Sequence, residues 1–226
     1  MNGMERRLRQ GLADLPLALD DAQIGGLLDY LTLIQKWTQV YNLTAVHDPA
    51  EMLTHHLLDC LAVIEPLRAQ LAGGCSSASL GGKFSDAEKI QLLDVGSGAG
   101  LPGTVIAICC PDMLVDCVDT VAKKVAFIRQ VAAVLKRPNL RGVHARVESL
   151  TDNYNVISSR AFASLADFTR LSSGALAKQG VWLAMKGKRP DSEISALPAD
   201  VGVFHVEQLK VPGLNAERCI VWMRKT

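Results

Sequence analysis

The stretch Lys89-Ile90-Gln91-Leu92-Leu93-Asp94-Val95-Gly96-Ser97-Gly98-Ala99-Gly100-Leu101-Pro102-Gly103 decides how the rest of the chain folds. Its apolar run ends at Val95 without polar alternation, which predicts a parallel strand covered on both faces. Gly96, Gly98, Gly100 and Gly103 follow at every second or third position and let the backbone pass close to a ligand. Pro102 suits the first turn of a helix, where its missing N–H costs nothing. That helix is expected to run through Val105 and Ile108 to Cys110 and to stop at Pro111. A strand, a glycine loop and a helix in this order make a cradle for a nucleotide-type cofactor.

Two cofactors compete for that cradle. Gly98-x-Gly100-x-x-Gly103 satisfies the dinucleotide fingerprint and is compatible with NAD. The glycines begin earlier, however, as Asp94-x-Gly96-x-Gly98-x-Gly100. That pattern resembles motif I of the S-adenosylmethionine (SAM) methyltransferases, whose ligand has no pyrophosphate to seat on a helix. Leu114-Val115-Asp116-Cys117-Val118-Asp119 reads as the next strand, and Asp119 at its end is placed to accept from ribose hydroxyls. The plainer alternative makes Asp94 and Asp119 strand-end caps. The glycine pattern favours SAM over NAD.

The chain has 226 residues, enough for one α/β domain with an appendage. Residues 1–71 read as an N-terminal helical cap, 72–88 as a small-residue flexible linker, and 89–226 as the cofactor-binding domain. In the cap, Ile24, Leu27, Leu28, Leu31 and Ile34 mark one helical face. Asp48-Pro49-Ala50-Glu51 reads as an N-cap, a first-turn proline and a capping-box acid. The helix it opens carries Leu53, Leu57, Leu61 and Ile64 and is expected to stop near Pro66. His55 and Asp59, four apart on it, read as a hydrogen-bonded surface pair, not as metal ligands. Six cysteines without Cys-x-x-Cys spacing argue against a disulfide framework and a zinc site and fit a reducing cytoplasm. Charges interrupt the N-terminus, so no signal peptide is expected, and no apolar run reaches membrane-spanning length.

Strand–helix alternation continues beyond Asp119. The helix at 121–135, the strand at 140–145 and the strand at 154–158 are followed by a helix over 165–178 and a strand over 180–185. Two late strands, about 201–210 and 219–224, lack a long helix between them and should pair antiparallel. The expected fold is therefore a Rossmann-like, mostly parallel sheet with a final antiparallel strand, preceded by the helical cap. In such a sheet the ligand sits beyond the carboxyl ends of the strands. That rule gathers Gly96 to Leu101, Asp119, Val147, Glu148, Arg160, Phe162 and Lys186. A guanidinium at Arg160 needs a ligand anion or an ion-pair partner such as Asp94 or Glu148. Net charge is only +1, but seven basic residues and no acid lie between Val121 and Arg146, Lys123 and Lys124 among them. Residues 178–190 add four more before Asp191. These stretches are either solvated helix faces or an electropositive rim for a polyanion such as RNA.

Several blocks together resemble the bacterial small-subunit ribosomal RNA guanine-N7 methyltransferases (RsmG, formerly GidB). They are Tyr41-Asn42-Leu43-Thr44-Ala45-Val46, His56-Leu57-Leu58-Asp59, the Leu93–Gly103 loop, Val118-Asp119, Arg146-Val147-Glu148, Ser159-Arg160-Ala161-Phe162-Ala163-Ser164-Leu165 and Ala184-Met185-Lys186-Gly187. The resemblance implies SAM binding through Gly96, Leu101, Asp119, Val147, Glu148 and Arg160, and the glycine pattern adds Gly98 and Gly100. Substrate contacts are expected at His56, Phe162, Lys186, Lys123 and Lys124. Two departures stand out: His55 sits where the family commonly has arginine, and the 72–88 linker is longer and richer in glycine and serine.

The implied reaction moves the SAM methyl to N7 of a guanine in 16S ribosomal RNA, free or in the small subunit. N7 already carries a lone pair and loses no proton on methylation. No general base, nucleophile or metal is then expected, and catalysis rests on positioning, with Arg160 as the favoured positioning residue. N7 faces the deep, narrow major groove of A-form RNA, so the guanine must lie in a loop or be flipped out. No obligate protein partner is evident. The competing readings are a SAM enzyme acting on another RNA or a small molecule, an NAD-dependent oxidoreductase, and a non-catalytic RNA-binding factor.

Overall fold

The computed structural model of the protein describes residues 3–15, 17–72, 89–162 and 164–226. The expected linker, apart from Ala72, lies outside the described residues. The cap comprises α1 (Gly3–Asp14), α2 (Asp21–Tyr41), α3 (Pro49–Met52), a π-helical turn (Leu53–Leu58), α4 (Asp59–Leu61) and α5 (Ile64–Ala72). Then follow β1 (Gln91–Val95), α6 (Gly103–Cys109), β2 (Leu114–Asp119), α7 (Ala122–Val134), β3 (Leu140–His144), a 3-10 turn (Val147–Ser149) and β4 (Tyr154–Arg160). The chain continues through α8 (Leu165–Ser172), β5 (Leu176–Lys186), α9 (Asp191–Ser195), β6 (Val201–Leu209) and β7 (Arg218–Lys225).

Among the described residues the strands form one sheet in the order β3-β2-β1-β4-β5-β7-β6. The first five are parallel, and β7 runs antiparallel between β5 and β6. The connections leave β1 toward β2 on one side and return to β4 on the other. The crevice beyond β1 and β4 is therefore the topological switch point, where open α/β sheets bind ligands.

Alternation sorts neighbouring residues onto opposite faces. Leu92, Val115, Val156, Leu183 and Trp222 join one apolar cluster with the cap helices, α6 and α7. Leu93, Val118, Ile157, Trp182 and Val221 join a second cluster with Leu165 and Phe168 of α8. Fully burying each Leu or Val stabilises by roughly 1.5–3 kcal/mol, so both faces contribute substantially. The buried indole of Trp182 donates to Ser172 Oγ at 2.9 Å, which removes the penalty of hiding an N–H. No helix among the described residues is long and apolar enough to cross a membrane.

Several boundaries differ from those read in the sequence. Asp48 caps its helix through Ala50 N and Glu51 N, as expected. The helix does not stop at Pro66: it breaks at residues 62–63 and restarts at Ile64. Pro66 then falls in the first turn of α5, where no N–H partner is needed. Pro102 stands just before α6, whose first residue is Gly103. The helix expected over 165–178 ends at Ser172, and β5 starts at Leu176 instead of Gly180. Leu176 pairs with Tyr154, and a register shift follows before Val181 meets Val156. Gly180 sits in that bulge, where a Cβ would lie 2.8 Å from the Tyr154 carbonyl oxygen.

Candidate active site

The glycine loop is pinned from three sides. Gly96 N–H and Ser97 N–H donate to Val118 O at 2.9 and 3.3 Å. Gly98 N–H donates to Asp119 Oδ2 at 3.0 Å, while Asp119 Oδ1 accepts from Val121 N–H at 2.8 Å. From the cap, the buried Tyr30 hydroxyl donates to Ala99 O at 2.6 Å. Under the loop, Asp94 accepts from Gly103 N–H at 3.0 Å and from Ser158 Oγ at 3.1 Å.

The glycines divide by what they face. Gly96 and Gly98 have positive φ, and a Cβ on either would project into open space. Gly100 and Gly103 face inward instead. A Cβ at Gly103 would lie 2.4 Å from Cys117 Sγ and 2.9 Å from Asp94 Cβ. Gly103 thus lets α6 pack directly against β1 and β2. The outward pair leaves room for a ligand, and the inward pair permits the packing that holds the loop.

Two clefts open at the carboxyl ends of the strands. The first, about 260 Å³, is lined by Gly96, Asp119, Val147, Glu148 and Phe162, with Arg146 and Leu171 among the rest. Its lining combines apolar walls with two carboxylates, the buried Asp119, which is 7% exposed, and the exposed Glu148. The second, about 420 Å³, is lined by His55, His56, Asp59, Arg160, Lys186 and Arg218, with Met185 and the backbone of residues 161 and 187.

The first cleft thus unites four residues expected for the cofactor with Phe162, which was expected for substrate. Arg160 lines the second cleft, next to His56 and Lys186. Leu101 is buried and Gly100 packs against Thr104 and Ile128, so both lie inside the loop and not in its opening. Lys123 and Lys124 stand in the first turn of α7. Lys124 Nζ lies 3.8 Å from Asp119 Oδ2, and Lys123 Nζ lies 3.5 Å from Tyr41 O.

Arg160 is paired with neither Asp94 nor Glu148. Its Nη1 donates to Asp59 Oδ2 at 3.2 Å and to His55 O at 2.9 Å. Asp59 Oδ1 accepts from Arg218 Nε at 2.8 Å. Asp59 and His55 are therefore not a surface pair: Asp59 is 3% exposed and bridges two arginines. The π-helical turn Leu53–Leu58 carries His55 and His56 and ends just before Asp59. His55, His56 and Asp59 all line the second cleft.

Burial sets the electrostatics. It pushes the Asp94 carboxyl up to about 7, against the opposing hydrogen bonds from Gly103 and Ser158. It pushes the His56 ring down to about 4, aided by the Arg160 charge. Both His56 ring nitrogens lack a hydrogen-bond partner.

The basic stretches are partly used internally. Arg141 pairs with Asp116, Arg129 donates to Gly142 O, and Lys186 pairs with Glu193 at 2.8 Å. Lys123, Lys136 and Arg146 remain exposed. Among the described residues, no group of three or more His, Cys, Asp or Glu could hold a metal ion. Two site residues escaped the sequence reading. Tyr30 sits three positions after Leu27 on the buried face of α2 and was detectable by that period. Arg218 carries no signal, because only the fold brings it to Asp59.

A central β1, a glycine loop and an inserted antiparallel β7 define a class: the Rossmann-like methyltransferase sheet. Solved structures share it. The ribosomal protein L11 methylase of Lactobacillus delbrueckii subsp. bulgaricus matches with TM-score 0.51 and 12% identity, over 75% of this chain and 77% of that one. The glycopeptide N-methyltransferase MtfA complexed with SAM matches with TM-score 0.53 and 10% identity, over 62% and 82%.

The family model for rRNA small subunit methyltransferase G (GidB) matches residues 23–72 and 75–221. The protein of that name from Albidiferax ferrireducens is 71% identical over 100% of this chain and 99% of its own. The one from Polaromonas naphthalenivorans is 62% identical over 96% and 94%. The chain belongs to the rRNA small subunit methyltransferase G family.

Proposed function

We propose that the protein is a SAM-dependent methyltransferase that modifies N7 of one guanine in 16S ribosomal RNA, with the small subunit as its setting. Family membership carries the reaction, and the outward-facing Gly96 and Gly98 beside Asp119 carry the cofactor. The cradle fits SAM: two glycines leave room where a side chain would stand, and Val147 and Phe162 offer apolar walls for an adenine. Bound there, SAM supplies an activated methyl group on its sulfonium.

The chain's own contribution is positioning. Asp119 holds Gly98 and Val121 by their amides and keeps lone pairs free for ribose hydroxyls. Tyr30 fixes the far side of the loop through Ala99. Guanine N7 attacks with a lone pair it already has, so no side chain must take a proton. The second cleft is the place for the base, with Arg160 and Lys186 at its edge. The exposed Lys123, at the start of α7, then meets phosphates. In this reading residues 1–71 are the cap and 89–226 the methyltransferase domain. Five free, buried cysteines among the described residues support a reducing, cytoplasmic setting.

Calorimetric titration with SAM, with NAD as the control, tests the cofactor. Transfer of labelled methyl to small subunits lacking the modification tests the substrate. SAM binding with one labelled guanine is the expected result. NAD binding, or SAM binding with no RNA label, overturns the corresponding half. Asp119→Ala is expected to weaken SAM at least tenfold, since it orphans two amides and removes the ribose acceptor. Unchanged SAM affinity in that variant would remove Asp119 from the cofactor site.

A further inference from the structure

The ring of His56 is the clearest unsatisfied group in the second cleft. It is 6% exposed and forms part of the wall, and neither nitrogen makes a well-formed hydrogen bond. The one backbone group near enough to favour its charged form is that of His55, whose O is already taken by Arg160. A dehydrated, unpaired imidazole costs stability unless something else completes it. Its neighbours Arg160 and Arg218 are held on Asp59, and Lys186 on Glu193, so none of them supplies the partner. The cleft's volume of about 420 Å³ admits a flipped-out base.

The chemistry of N7 methylation limits how that base can be held. Arginine usually reads guanine by a two-pronged contact to O6 and N7. Such a contact would occupy the lone pair that must attack. The productive contact is a single donor to O6, with N7 left bare. An imidazole supplies one donor, whereas a free guanidinium supplies a fork.

We propose that the second cleft seats the target guanine, that a His56 ring N–H donates to its O6, and that Asp59 restrains Arg160 and Arg218 from gripping N7. This rests on the function proposed above. Both ring nitrogens are buried in the cleft wall, so the contact requires the ring to turn toward the base. Methylation leaves positive charge on the base, so an uncharged ring is the suitable neighbour. Burial first and then the Arg160 charge disfavour protonation of the ring, with Asp59 opposing them; Arg218 is held on Asp59 and Lys186 on Glu193.

The test uses small subunits reconstituted with 16S RNA carrying guanosine, inosine or 2-aminopurine at the methylated position. Inosine keeps O6 and N7; 2-aminopurine keeps N7 but lacks O6. Wild-type enzyme is expected to methylate guanosine and inosine alike and 2-aminopurine at least 30-fold more slowly. His56→Ala is expected to lose at least 30-fold on guanosine but under threefold on 2-aminopurine, with SAM affinity unchanged. His56→Gln, which restores a donor, should recover most of the guanosine rate. Equal wild-type rates on guanosine and 2-aminopurine overturn the O6 contact even if both variants misfold. Equal fractional losses of His56→Ala on both bases, or a parallel loss of SAM affinity, also overturn it. A wild-type enzyme inactive on guanosine subunits overturns the proposed function itself.

Discussion

Asp59→Ala is expected to destabilise the protein by about 3 kcal/mol and to abolish methyl transfer. The carboxylate is buried and bridges Arg160 and Arg218, whose side chains are 24% and 25% exposed. Removing it leaves two cations facing each other in a partly dry cleft. Breaking a buried ion pair from one side costs about 3–5 kcal/mol. Partial exposure of both arginines and their remaining bonds to His55 O and Glu217 O place this case at the lower end. Thermal melting should show a fall of about 6–12 °C for a chain of this size. Asp59→Asn, which keeps the shape but not the charge, should lie between the two. A melting point within 1 °C of wild type for Asp59→Ala would show that the bridge holds nothing.

Asp94→Asn is expected to change how stability responds to pH. The folded carboxyl titrates at about 7, above its ordinary value of 3.8. Between those values the unfolded chain gives up the proton and the folded chain keeps it, so stability falls as pH rises. The loss is complete above pH 7. From pH 5 to pH 8 it amounts to about 2–3 kcal/mol. Asparagine mimics the protonated acid: its oxygen can accept from Gly103 N–H and its amide can donate to Ser158 Oγ. The variant should therefore lack this fall and overtake wild type at pH 8. Parallel denaturation curves for the two proteins at pH 5 and pH 8 would refute the assignment.

The legible parts of the fold were those that local rules control. Glycine spacing, strand length and strand–helix alternation are written in consecutive residues, and β1 to β4 lie within a residue or two of where they were read. The final antiparallel pair was legible because no helix fits between its strands. Errors fell where tertiary contacts override local preference. Leu176 joined the sheet early because Tyr154 offered a partner across a bulge, and no local pattern encodes that. Pro66 marked a helix start and not a stop, since a proline is tolerated in a first turn. At the site, Asp119 was placed by strand length alone. The partner of Arg160 was not, because Asp59 lies 101 positions away on the cap and only the packing of the cap against the sheet brings the two together.

The bridge at Asp59 also fixes when the site can exist. Its two arms join residues 101 and 159 positions apart, among the longest-range side-chain bonds in the protein. Contacts so remote in sequence carry the largest loop-closure cost and are favoured only after nearer pairings have formed. Arg218 opens β7, which must first slot between β5 and β6. The bonds that pin the glycine loop, from Gly98 and Val121 to Asp119, close far shorter loops than either arm of the bridge. The second cleft is thus a late product of folding, complete only once β7 has paired with β5.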